Sequence, residues 1–102
     1  MIVVASIFPL PEHRQEVIEL FERTIEQVQT EDEGCELYAL HEGEDRLVMI
    51  EKWSDRDTFD QHGRSPALAG LRSGLAGKLG PKGLESSYLS AHPSGSDALG
   101  SL

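Results

Sequence analysis

The segment Leu-Val-Met-Ile-Glu-Lys-Trp at residues 47–53 limits the possible folds more than any other part of the sequence. Side chains of a strand point alternately to its two faces. One face would carry Leu47, Met49, Glu51 and Trp53, and the other would carry Val48 and Ile50. Because this strand is apolar on both sides, we expect it inside a sheet that is covered on both faces.

A second predicted strand precedes it, and the two form a hairpin. Residues 35–42 alternate in the same way. One face of this strand is expected to carry Cys35, Leu37, Ala39 and His41. The Gly-Glu-Asp segment at residues 43–45 suits a short connecting turn. We expect the hairpin to bring His41 and Trp53 to the same end.

The first third of the chain predicts a strand followed by an amphipathic helix. Residues 2–8 are short, β-branched and apolar, as in a buried strand. From Glu12 onwards apolar residues recur at helical spacing. They are Val17, Ile18, Phe21, Ile25 and Val28. After the hairpin, residues 54–57 fit a capping box on Ser54 for a short helix that carries Phe59 and His62 and ends at Gly63.

A further helix and a last strand complete the order. Ser65 and Pro66 begin a helix with a leucine stripe. The stripe consists of Leu68, Leu71, Leu75 and Leu79. Residues 80–83 predict a break before a strand at residues 84–92. We predict an α+β domain at residues 1–92, a ferredoxin-like antiparallel sheet with helices on one face, and a polar tail at residues 93–102. A symmetric homodimer would cover the other face.

Charge and composition exclude several classes of partner. The 102 residues carry 18 acidic and 9 basic side chains, whereas nucleic acids and anionic membranes require a basic face. The apolar N-terminal run has no basic leader or cleavage site, and no apolar run approaches the ~20 residues of a membrane helix. We therefore expect a cytoplasmic protein that binds neither nucleic acid nor membrane.

No motif predicts a metal or nucleotide cofactor. The four histidines and one cysteine lack metal-ligand spacing, and neither a phosphate loop nor a dinucleotide fingerprint is present. What remains is a group of aromatic and imidazole side chains. Trp53, His41 and His62 could line one cleft between the sheet and the helices. A neutral imidazole there could take a phenolic proton at pH 7.

The segment from Gly34 to Leu68 resembles the antibiotic biosynthesis monooxygenase family. The matching positions are Gly34, Cys35, Tyr38, Leu40, His41, Glu51, Trp53, His62, Ser65 and Pro66. The resemblance extends loosely over residues 1–92. It implies a ferredoxin-like fold that pairs into a dimeric α+β barrel.

The resemblance also implies a chemistry. Members of this kind oxidise quinols or polyphenols with O2 and without flavin, metal or haem: the pocket deprotonates a substrate hydroxyl, and the electron-rich anion reduces O2. On this basis His41 is the predicted base and Trp53 a stacking wall, so both are candidate catalytic residues. The predicted substrate-binding residues are Met49, Glu51, Phe59, His62 and Tyr88.

Two other functions remain open. Such members often carry Asn at the position of Met49 and Tyr at that of Phe59, so this chain lacks two hydrogen-bonding groups. A non-catalytic small-molecule-binding module of the same fold would need neither group. An isomerase-type relative of the barrel would again use His41 as its base. Glu51 is alternatively expected to form a structural ion pair with Arg64 or Arg72.

Overall fold

The computed structural model describes residues 1–102 as four strands and three α-helices. They are β1 (Ile2–Pro9), α1 (Arg14–Glu31), β2 (Cys35–Glu42), β3 (Leu47–Trp53), α2 (Arg56–Gly63), α3 (Pro66–Leu75) and β4 (Leu79–Leu89). Neighbouring strands pair antiparallel in the order β2-β3-β1-β4. This confirms the predicted ferredoxin-like α+β fold with helices on one face. No helix has both the length and the apolar character that a membrane crossing requires.

The core lies between the helices and one face of the sheet. On that face β3 buries Leu47, Met49, Glu51 and Trp53, as the alternation predicts. Helix α1 packs against them with Val17, Phe21 and Val28, and α3 with Ala67, Leu71 and Leu75. The opposite face of the sheet, which we call the open face, buries Ile2 at one corner and elsewhere carries partly buried apolar side chains. Among them are Val4, Leu37, Ala39, Val48 and Ile50.

One row of side chains crosses all four strands on the helix side. The register pairs Tyr38 with Glu51, Glu51 with Val3, and Val3 with Tyr88. Neighbouring strands lie ~4.8 Å apart, so Glu51 and Tyr88 are roughly 10 Å apart across Val3. We call these four residues the Glu51 row, and it forms the floor of the candidate site.

A bulge near the start of β2 changes the face on which Cys35 lies. The register shifts between Cys35 and Leu37, so that Cys35 pairs with Trp53 while Leu37 pairs with Lys52. Cys35 therefore packs against the core. The prediction that it shares a face with Leu37 is wrong, because the extra residue of a bulge reverses the alternation.

Three predicted boundaries also differ from the structure. Asp55, and not Ser54, caps α2, because its carboxylate accepts a hydrogen bond from the Thr58 amide at 2.8 Å. Helix α3 ends at Leu75, so Leu79 belongs to β4 and not to the helical stripe. Residues 80–83 lie inside β4, where the pairing with β1 is irregular, and they do not separate the strand from the helix.

The residues beyond β4 contact their own domain at the edge of the open face. The carbonyl of Leu102 accepts a hydrogen bond from the Lys52 ammonium at 2.9 Å. Leu102 also lines a small cavity with Ile2 and Leu89. The tail therefore covers one corner of the open face and leaves its centre uncovered.

Candidate functional site

A carboxyl, an indole and an imidazole meet on the helix side of β3. The Trp53 indole N–H donates a hydrogen bond to Glu51 Oε1 at 3.0 Å. The ring of His62 lies against Trp53, with centroids 4.3 Å apart and planes tilted by 34°. His62 Nε2 is 3.9 Å from the same Glu51 oxygen. We call Glu51, Trp53 and His62 the Glu51 cluster; all three are buried.

The local sequence accounts for this meeting. Glu51 and Trp53 are two residues apart on a strand, so they share a face. Helix α2 begins three residues after Trp53 and turns back over the sheet. Phe59 and His62 are one helical turn apart and therefore point to the same side. The prediction that a short helix carries Phe59 and His62 and ends at Gly63 is confirmed. Both rings lie beside Trp53.

Asp32, directly after α1, holds the far side of the imidazole. Its Oδ2 accepts a hydrogen bond from His62 Nδ1 at 2.6 Å, and its side chain is only 7% exposed. Because a carboxylate can only accept, Nδ1 carries the hydrogen and Nε2 presents its lone pair towards Glu51. Asp32 is not among the site residues that the sequence predicts. The sequence contains one indication of its role: Asp32 is a carboxylate at the C-terminal end of α1. The helix dipole disfavours a negative charge there, so a stabilising partner from another element is expected.

Burial shifts the pKa values of the cluster towards the neutral forms. It raises the pKa of Glu51 to about 7, against the opposing effect of the Trp53 hydrogen bond. It lowers the pKa of His62, against the hydrogen bond and charge of Asp32. Burial also raises the pKa of Tyr38, the neighbour of Glu51 in the row. A carboxyl with a pKa near 7 can take up and release a proton at neutral pH.

Aromatic rings connect the cluster with the surface. Phe59 lies 6.3 Å from Trp53 and 5.6 Å from Tyr88, measured between ring centroids. Tyr88 is 58% exposed and Leu84 is 47% exposed, although both are on the helix side of β4. The helices thus leave an uncovered strip on β4, which we call the β4 shelf: Leu84, Ser86 and Tyr88.

Most of the predicted site residues lie together. Trp53 contacts Glu51, Phe59 and His62, and Tyr88 extends the group through Phe59. Met49 is buried on the same face of β3, where it pairs with Leu40 and Ala5. The substrate-binding roles assigned to these residues stay predictions.

His41 lies apart from this group. It pairs with Val48 beside the hairpin turn, whereas Trp53 pairs with Cys35 at the other end. The expectation that His41 and Trp53 share an end of the hairpin is wrong, because in an antiparallel pair the last residue of one strand meets the first of the next. His41 is exposed, and its Nδ1 lies 3.4 Å from the Val48 carbonyl. The role of His41 as the base stays a prediction. It was based on a cleft shared with Trp53 and His62, and His41 does not lie next to either residue.

The expected ion pair of Glu51 with an arginine is also wrong. The guanidinium of Arg72 donates to the carbonyl of Gly63 at 2.8 Å, and the partner of Glu51 is the indole of Trp53. No group of three histidine, cysteine, aspartate or glutamate side chains lies close enough to hold a metal ion.

The sheet order and the polar and aromatic cluster beneath the helices define a ferredoxin-like α+β domain with a site between its two layers. A sequence profile of the family described as antibiotic biosynthesis monooxygenase matches residues 1–72. This match spans every member of the Glu51 cluster. The chain belongs to the antibiotic biosynthesis monooxygenase family.

Solved structures agree with this assignment. Rv0793 from Mycobacterium tuberculosis is 25% identical with a TM-score of 0.83, over 93% of this chain and 97% of that one. A conserved protein from Methanosarcina mazei Go1 is 31% identical with a TM-score of 0.76, over 84% and 86% of the two chains. An antibiotic biosynthesis monooxygenase that is 24% identical shares the fold, with a TM-score of 0.80 over 91% and 100%. No curated protein matches the chain significantly.

Proposed function

We propose that this chain is a cofactor-independent monooxygenase that oxidises a small quinol or polyphenol with O2. The observation that supports this best is Glu51, a buried carboxyl with a pKa of about 7 between an indole and an imidazole. Such a group can accept the proton of a phenolic hydroxyl and return it later in the reaction. Family membership supports the oxygenase class, and the cluster supports the choice of an ionisable aromatic substrate.

The reaction balances with O2 as the only oxidant. Glu51 takes the proton of the phenolic hydroxyl, and the resulting anion transfers one electron to O2. The two radicals combine at a hydrogen-bearing ring carbon ortho or para to that oxygen, which forms a C–O bond, and the peroxide takes the proton back from Glu51. Loss of the proton from that ring carbon and of hydroxide, together one water, leaves a carbonyl. One phenol and one O2 thus give one quinone and one water.

The β4 shelf is the proposed entrance and seat for the substrate. Its exposed Tyr88 offers a ring face for stacking, and Ser86 leaves room beside it. Phe59 lies between Tyr88 and Trp53. Its half-buried ring is therefore the side chain that has to move for a substrate hydroxyl to reach Glu51.

A homodimer is part of this proposal. The open face exposes apolar side chains of three neighbouring strands, among them Val4, Leu37 and Ile50. A second copy of the same face would bury them in a symmetric interface. His41 lies on this face, so in such a dimer it would belong to the interface and not to the Glu51 cluster.

The test measures O2 consumption by the purified, chelator-treated protein with hydroquinones and dihydroxynaphthalenes. Glu51→Gln keeps an acceptor for the Trp53 N–H but cannot take a proton, so we expect a loss of about 10²-fold or more in rate. His41→Ala is the matched comparison, because it removes the other predicted base from the opposite face of the sheet. A loss in His41→Ala with an unchanged rate in Glu51→Gln would return the role of base to His41.

The same compounds distinguish the binding module from the enzyme. Trp53 is the only tryptophan, so quenching of its fluorescence reports binding next to the cluster. Quenching without O2 uptake above the spontaneous rate would contradict the enzymatic proposal and support a non-catalytic module. In that case Met49 and Phe59, where hydrogen-bonding groups are missing, are the first positions to restore.

A further inference from the structure

Three side chains from three different elements follow one another in a line from the surface to Glu51. Asp32, after α1, accepts a hydrogen bond from Nδ1 of His62 on α2 at 2.6 Å. The other nitrogen of the same ring, Nε2, is 3.9 Å from Oε1 of Glu51 on β3. This distance is about 1 Å longer than a hydrogen bond, so a proton passes between the two atoms only when the imidazole or the carboxyl moves. The ring therefore lies between two carboxyls, with one nitrogen directed at each.

The outer end of this line opens to solvent away from the β4 shelf. A surface cavity of about 240 Å³ is lined by Asp32 and His62 together with Glu33 and Gln61, and none of its lining residues belongs to β4. Glu51 itself is only 6% exposed. A buried carboxyl that changes protonation state during a reaction needs a route for its proton, and this is the route that the side chains provide.

We propose that Asp32 and His62 form a proton path between Glu51 and this cavity. The path rests on the proposed function, in which Glu51 takes the substrate proton. After the peroxide has taken the first proton back, Glu51 takes the ring C–H proton, which has to leave the site in each turnover. Glu51 gives this proton to His62 Nε2, the Nδ1 proton moves to Asp32, Asp32 releases it to the cavity, and the ring regains its starting tautomer before the next transfer. This proton and the hydroxide lost from the peroxide together are the one water of the balance.

The charged and titratable groups around the ring are few. Tyr38 and Cys35 approach from β2, and burial raises the pKa of both, so that they stay protonated and neutral. Arg72 approaches from α3, and its positive charge lowers the pKa of His62. Asp32 is thus the group that stabilises an imidazolium when the ring carries both protons.

The first test needs no substrate. NMR titration of His62 compares the wild type with Asp32→Asn, which keeps an oxygen acceptor for Nδ1–H but removes the charge. We expect the pKa of His62 to fall by about 1–3 units in Asp32→Asn. Glu33→Gln is the matched control, because it removes a charge from the same cavity without a hydrogen bond to the ring, and it should leave that pKa close to wild type. An unchanged His62 pKa in Asp32→Asn would overturn the path.

The second test uses the oxidation reaction. We expect Asp32→Asn to lower kcat at least about tenfold with an unchanged KM and a larger solvent deuterium isotope effect, and Glu33→Gln to match the wild type. An active wild type whose kcat is unaffected by Asp32→Asn would overturn the path and leave the proposed function intact. An inactive wild type with the expected shift in His62 would overturn the function, and with it the use of the path in turnover, while the charge coupling of Asp32 to His62 would stand.

If Asp32→Asn does not fold, the proton path is tested by NMR titration of His62 in the wild type and in Glu51→Gln. Glu51 and His62 exchange a proton in the proposed path, so their titrations should be coupled. The His62 resonances should then show two inflections in the wild type and one in Glu51→Gln. A single inflection in both proteins would overturn the path.

Discussion

Burial of Glu51 both raises its pKa to a value useful for proton transfer and lowers the stability of the folded state when the carboxyl is ionised. Burial beneath the helices raises its pKa to about 7, which suits a group that exchanges protons at neutral pH. The same burial disfavours the charged carboxylate, so the folded state is strained whenever the side chain is ionised. Trp53 reduces this cost through its single hydrogen bond and does not remove it.

Glu51→Gln should therefore change how stability depends on pH. Between pH 4.5, the ordinary pKa of the side chain, and about 7, the folded wild type keeps a proton that the unfolded chain has released. Its stability consequently falls as pH rises through this window. A rise of the pKa from 4.5 to about 7 corresponds to about 3 kcal/mol. The glutamine variant lacks this loss, so its stability relative to wild type should rise by up to that amount.

Chemical denaturation of both proteins at pH 4.5 and pH 8 measures the difference. His62, whose pKa is lowered, contributes stability that is lost as pH falls. Because its titration is coupled to that of Glu51, the His62 pKa is measured by NMR in both proteins and its contribution is subtracted. A relative stability that stays constant from pH 4.5 to pH 8 would mean that Glu51 has an ordinary pKa in the folded state.

The sequence predicted the inner residues of the site and missed the outer one. Glu51, Trp53, Phe59 and His62 follow from a strand alternation and one helical turn, which are short-range patterns. Asp32 is 30 residues from His62, and no local pattern links a helix end to a ring in another helix. Long-range contacts of this kind depend on how the layers pack, which a single sequence does not specify.

At the scale of elements, Gly34 lies between α1 and β2 and contacts the beginning of α2. Its φ of +77° is in the left-handed region, where glycine carries no steric penalty. Its carbonyl accepts a hydrogen bond from the Ser54 amide at 2.9 Å. The α-carbon also lies so close to Thr58 that no side chain fits between them. This contact helps to place α2, and with it His62, over β3.

Gly34→Ala should destabilise the protein more than Gly77→Ala. A Cβ at Gly34 would lie 2.5 Å from Thr58 and 2.6 Å from Ser54, whereas at Gly77, also at φ +77°, nothing lies within 4 Å. Both variants carry the left-handed penalty of about 1–2 kcal/mol. Only Gly34→Ala adds overpacking, which typically costs a further 1–3 kcal/mol. Denaturant unfolding measures both, and equal losses would show that the Thr58 contact has no energetic role.

The element predictions failed where a strand is irregular. The bulge after Cys35 reverses the alternation that assigned its face, and the irregular pairing near Pro9 allows β4 to begin before Gly80 and Pro81. Glycine and proline in sequence indicate a break, but at the edge of a sheet they can also lie within a strand. His41 was misplaced for a simpler reason, the direction of the hairpin.

At the scale of the whole molecule, the open face is an apolar surface that no helix of the same chain covers. Its apolar side chains extend over β1, β2 and β3, and the C-terminal residues cover only a corner near Ile2. Helices pack on the other face alone. A second copy of the same chain could cover this face without any other protein. In a two-fold dimer each contact would occur twice.

Ile50→Glu should therefore convert the proposed dimer to monomer. Ile50 lies on β3, one of the two inner strands of the sheet, and faces away from the helices. A charge there would be buried without a partner in the interface. Leu84→Glu is the matched control on the other side of the sheet. Light scattering at micromolar concentration should give a dimer for the wild type and control; a monomeric wild type would contradict the proposal.

The Glu51 row has a consequence for how this protein loses function. Tyr38, Glu51, Val3 and Tyr88 come from four strands, and they line up only when all three strand pairings are in register. A partly folded chain that has lost either edge strand lacks one side of the row. The proposed oxygenase activity should consequently report the fully assembled sheet alone, and its loss on heating or in denaturant should coincide with the first pairing to separate.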